Sequence, residues 1–166
     1  LFFILNSILG ISAAWIESPV DSGRLKLLGN RTIQMPYSKT RAYFFIVAIF
    51  ILATLFSSVL DHARFRFDNP WVWLPVAAAL FGTTTSLFLG VIEKPNPGDI
   101  MVHAVAMLLL IVVGVVGFVL HTQSSITPSG AIIIERFLRG SPLLAPLLYA
   151  NYGLMGLMVL LSPSEE

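Results

Sequence analysis

Three histidines, His62, His103 and His121, are the residues of this chain whose type suits chemistry inside a membrane. Neutral imidazole ligates metals, among them haem iron and the magnesium of a chlorophyll. A flat macrocycle beside a helix needs a small residue one turn before its ligand. Ser58 stands four residues before His62, and Gly117 four residues before His121. If successive helices alternate in direction, His62 and His121 emerge at one membrane face and His103 at the other. His62 and His121 are therefore the candidate ligands of a tetrapyrrole (haem b or a chlorophyll), with His103 ranked behind them. The plainer expectation places all three where helices leave the bilayer, as interfacial histidines.

The small-xxx-His spacing at both places resembles that of single-helix light-harvesting polypeptides and of four-helix b-type cytochromes. The resemblance covers five residues at each site and does not extend along the chain. It implies a redox or antenna subunit ligating its pigment through His62 and His121.

Other chemistries find little support. The absence of cysteine removes disulfides, thiolate metal sites, cysteine-ligated iron–sulfur clusters and covalent haem attachment. Phosphate-cradling glycine loops, HExxH, GxSxG and SxxK motifs are missing. Glu17 with Asp21, and Asp61 with Asp68, fall in polar connections and read as solvated charges. Apart from Arg41 at the very edge of the second, no Asp, Glu, Lys or Arg lies inside the apolar segments, which counts against pumps and ion-coupled transporters as a stand-alone activity.

The elements that must position the histidines follow from composition. The chain is 56% hydrophobic and 11% charged, against about a quarter charged in soluble domains. A net charge of +1 gives no electrostatic case for nucleic acid. Apolar segments at 1–16, 41–60, 71–92, 100–121 and 142–161 predict an all-α integral membrane protein of about five spans in a single domain, 1–166. The first is short and is expected to begin upstream of Leu1. Near 128–139, Glu135, Arg136 and Arg139 oppose Ile133, Ile134, Phe137 and Leu138, the pattern of a short interfacial amphipathic helix.

The segment Trp71–Ile92 carries Ala78, Gly82, Ser86 and Gly90 at every fourth position, a seam on which another helix can approach closely. It is the expected packing axis. Further small-residue stripes, Asn6, Gly10 and Ala14, and Ala150, Gly153 and Gly156, exceed what five helices need to close on themselves. The leading functional expectation is thus a non-catalytic subunit packed in lipid among other membrane subunits of a larger complex, bioenergetic or photosynthetic in type. The tetrapyrrole subunit is one alternative. A small-solute channel or transporter using Thr83–Ser86 is another. Six Lys and Arg on one side against four on the other favour a cytoplasmic first loop and C-terminus.

Overall fold

A computed structural model describes residues 16, 17, 19, 22–26, 31–64, 67–124, 126, 134, 135 and 144–161. Three short strands come first: β1 (Ile16–Glu17), β2 (Arg24–Lys26) and β3 (Thr32–Gln34). They form an antiparallel sheet in the order β1-β2-β3, with Glu17 opposite Leu25 and Leu25 opposite Ile33. Four long helices follow among the described residues: α1 (Lys39–Ala63), α2 (Trp73–Val91) preceded by a 3-10 turn at Pro70–Val72, α3 (Pro97–Ser124) and α4 (Ala145–Leu160). The sheet departs from the expectation of a plain polar connection. Gly23, at φ 71°, makes the turn that begins β2.

The segments expected at 41–60, 71–92 and 100–121 correspond to three helices long and apolar enough to cross a membrane. The segment expected at 142–161 corresponds to a shorter apolar helix of 16 residues, α4, about 24 Å long against a hydrocarbon core of about 30 Å. Five spans are therefore not what the described residues show. Segment 1–16 lies outside them except for Ile16, and of the interfacial helix near 128–139 only Ile134 and Glu135 are described, both helical.

Local sequence sets the helix starts. Ser38 caps α1 by accepting from Arg41 N at 3.3 Å. Asn69 caps the Pro70 turn by accepting from Trp71 N at 3.1 Å. Asn96 caps α3, with Asp99 answering: Asp99 N donates to Asn96 Oδ1 at 3.1 Å, and Asn96 N to Asp99 Oδ2 at 2.9 Å. This reciprocal box starts α3 three residues before Ile100, where apolarity alone placed it.

The helices form a ring. α1 packs on α2 and α4, α3 packs on α2 and α4, and the pair α2 and α4 across the ring barely touch. The most extensive interface joins α3 to α4, which displaces Trp71–Ile92 from its expected place as packing axis. Glycine makes that interface close. A Cβ at Gly153 would stand 2.6 Å from the Met107 carbonyl oxygen, and one at Gly114 2.5 Å from Ala150 N. Ala78, Gly82, Ser86 and Gly90 all face inward on α2, but toward two neighbours: Leu110 of α3 lies over Gly82, and Phe45 of α1 over Gly90. Outward positions such as Phe56, Leu80, Leu108 and Val112 are exposed and apolar, as a lipid-facing surface requires.

Because the atom met at Gly153 is backbone, the clash has no flexible side chain to absorb it. Gly153→Ala is expected to destabilise the bundle by about 1–3 kcal/mol, read as a lowered thermal unfolding midpoint in detergent, whereas Leu108→Ala on the outer face leaves it nearly unchanged.

Candidate functional site

His103 sits one and a half turns into α3, on the stripe His103, Ala106, Met107, Leu110 and Gly114 that makes this helix's buried face. It is fully buried, with 0% of its surface exposed. The 3.6-residue period continues inward through His103, so the helix delivers its imidazole to the core. There Nδ1 lies 3.2 Å from Thr85 Oγ1 of α2, and Nε2 lies 3.3 Å from the Gly156 carbonyl of α4. Phe44 of α1 meets the ring edge-on at 5.2 Å and 88°. All four helices thus converge on one side chain.

The partners fix the proton positions. A carbonyl only accepts, so Nε2 carries hydrogen. In the neutral ring Nδ1 then accepts from the Thr85 hydroxyl. Thr85 Oγ1 also lies 3.2 Å from the Gly82 carbonyl, which the Ser86 hydroxyl reaches at 2.8 Å. Thr85 has one proton for two acceptors, and Ser86 relieves it of the second. Thr84 points outward and donates to Leu80 O at 2.8 Å in its own helix, while Thr83 is buried. Thr83–Ser86 is therefore split between lipid and core and offers no single polar face.

His62 and His121 meet at the opposite end of the bundle, their ring centroids 6.5 Å apart and their planes at 88°. They come from α1 and α3, which face each other across the ring of helices. Trp71 and Trp73 are exposed at the same end, and Phe67 stacks on Trp73 at 4.8 Å, in the manner of an interfacial belt. The small residues expected to make room for a macrocycle are covered. The Tyr149 hydroxyl lies beside Ser58. A Cβ at Gly117 would stand 2.9 Å from Pro146 Cβ. The two imidazoles converge, but α4 fills the space beside them, so the residues as packed do not fit a tetrapyrrole. Among the described residues no group of three His, Asp or Glu could hold a metal ion.

A second polar feature lies between α1 and α4. Thr54, Ser58 and His62 are spaced four apart on α1, and α4 presents Tyr152 beside Thr54 and Tyr149 beside Ser58. Both tyrosines are buried, at 0% and 3% exposure, and neither hydroxyl closes a hydrogen bond of good geometry. Sequence reading missed this seam because the tyrosines lie in the least regular apolar segment. The spacing of Thr54, Ser58 and His62 was the available signal.

Comparison with known proteins gives no match, whether with family models, with curated proteins or with solved structures. The fold and site define a helical bundle of membrane character.

From the filled cradle, the purified protein is expected to show no Soret or Q band in its visible absorption spectrum. A band present in the wild type and lost in His121→Ala would contradict this packing.

Proposed function

We propose that this chain is a non-catalytic multi-pass subunit that packs within a larger membrane assembly. The observation that carries the reading is the outer face of α1. Ile49, Leu52, Ala53, Leu55, Phe56 and Val59 line a shallow apolar concavity, and Phe56 is 67% exposed beside it. A small residue, Ala53, lies on the same face as these large ones, so the backbone of a neighbouring helix can come close there. A transmembrane helix of another subunit is the occupant that this shape suits. The small-residue stripes of α2 and α4 are used inside the bundle and do not add to the case.

The first loop and the C-terminus are assigned to the cytoplasmic side, on the excess of Lys and Arg there. The N-terminus of α1 and the C-terminus of α4 lie at the same end of the described bundle, where Phe44, Leu89 and Val159 pack together.

A photo-cross-linking residue at Phe56, read with native mass spectrometry from the source membrane, tests the reading. A single stoichiometric partner subunit captured at Phe56, and not at Val112 of α3, is expected. A chain found alone, or labelled only by lipid at Phe56, would sink it.

A further inference from the structure

The sheet that precedes α1 carries charge which the bundle does not use. In β2, Leu25 is 4% exposed, so its side of the strand is turned into the molecule. Arg24 and Lys26, its neighbours along the strand, stand exposed on the opposite side. Residues directly opposite in the sheet share a face, so Gln34 and Thr32 of β3 lie beside these two cations. Arg31, just before β3, is exposed as well. Among the described residues no carboxylate pairs with Arg24, Lys26 or Arg31. At this end of the bundle Glu17 is taken by Gly23 N and Lys39 N, Glu93 lies by Arg41, and Asp99 caps α3 with Asn96.

The position of the sheet decides what these cations meet. Glu17 Oε1 accepts from Gly23 N at 2.5 Å and from Lys39 N at 3.1 Å, so one oxygen holds the residue before Arg24 against the first residue of α1. Met35 N donates to the Gly23 carbonyl at 2.8 Å and closes the same turn onto the stretch that leads into α1. α1 is long and apolar enough to cross a membrane, and its unbroken apolarity starts at Ala42. The sheet therefore stands at the level of the headgroups beside a spanning helix. Ile33 and Tyr37, 49% and 42% exposed, add apolar surface to the same stretch. Cations beside exposed apolar side chains suit the boundary between headgroups and acyl chains, where Lys and Arg stems lie on apolar surface and their heads reach phosphate. An acidic protein would meet the charge and leave that apolar surface unused.

We propose that this sheet binds anionic phospholipid headgroups of the leaflet in which α1 begins, through Arg24, Lys26 and Arg31. The two guanidinium groups each present a planar fork to a pair of phosphate oxygens, and the Lys26 ammonium adds a point charge. All three are exposed, so the attraction is screened by salt. It rests on the charge of the sheet and its place at the start of α1, and is independent of the subunit reading.

The chain has no cysteine, so a nitroxide on Thr32→Cys gives a single label on the exposed side of the sheet. The full chain is reconstituted in vesicles of phosphatidylcholine, with or without phosphatidylglycerol, each holding a trace of lipid that carries chelated nickel at its headgroup. Paramagnetic broadening of the label reads contact with the headgroup layer. Broadening several-fold greater with phosphatidylglycerol is expected, falling to the phosphatidylcholine level at high salt and in the folded triple variant Arg24→Gln, Lys26→Gln, Arg31→Gln. A reference label on Lys94→Cys, in the turn between α2 and α3 at the same end, is expected to be unmoved by the triple variant. Equal broadening in both lipids would leave an acidic protein as the partner and overturns the proposal, as does broadening that survives the triple variant. Should the label at Thr32 unfold the chain, one on Ile33→Cys is read by the same criterion.

Discussion

The described bundle depends on one imidazole. His103 reaches from α3 to Thr85 of α2 and Gly156 of α4, the two helices that otherwise barely meet across the ring. Apolar burial gives little preference for one helix arrangement over another in lipid, where the tails are as apolar as leucine. Close packing at small residues and interhelical hydrogen bonds must supply that preference. A single such bond averages only about 0.6 kcal/mol within membranes. A misplaced ring would instead leave a buried nitrogen and a buried carbonyl unpaired, at about 1–3 kcal/mol each. The penalty for error, more than the strength of the bonds, fixes the register of α3 against its neighbours. Gly156 belongs to the same constraint: a side chain there would meet Met107 and crowd Nε2.

One end of the bundle is tied by charge, which the interior avoids. Arg41, at the start of α1, donates from Nε to the Gly90 carbonyl at 2.9 Å and from Nη2 to the Val91 carbonyl at 2.6 Å. These are carbonyls that the end of α2 leaves without helical partners, and a guanidinium also suits the negative end of that helix. Its Glu93 contact at 3.7 Å involves an 83% exposed carboxylate and adds little. The Tyr37 ring lies 4.8 Å under the guanidinium and holds its plane. Glu17 does the corresponding work for the sheet. Its Oε1 accepts from Gly23 N at 2.5 Å and from Lys39 N at 3.1 Å, joining β1, the β2 turn and the first residue of α1.

Much of this architecture was legible in the residues. Unbroken apolarity located three long helices. The sheet was not legible, since strands of two or three residues carry too little alternation to stand out from a polar loop. The histidines divided in an instructive way. Alternation of helices put His62 and His121 at one end, which is where they meet, because that inference needs only helix direction. It could not show that Pro146 fills the place beside Gly117, which depends on how α4 leans against α3. The burial of His103 follows from the face of α3 that it occupies, which its place along the helix does not give.

The central claim is that His103 joins α2 to α4 through the Gly156 carbonyl, and a direct distance measurement tests it. Solid-state NMR on the protein in lipid, with nitrogen-15 in histidine and carbon-13 at the glycine carbonyls, reads dipolar coupling between His103 Nε2 and Gly156. The account predicts a protonated Nε2 coupled to that carbonyl, at a nitrogen-to-oxygen separation near 3.3 Å. No coupling to Gly156, or an Nε2 without hydrogen, would contradict it.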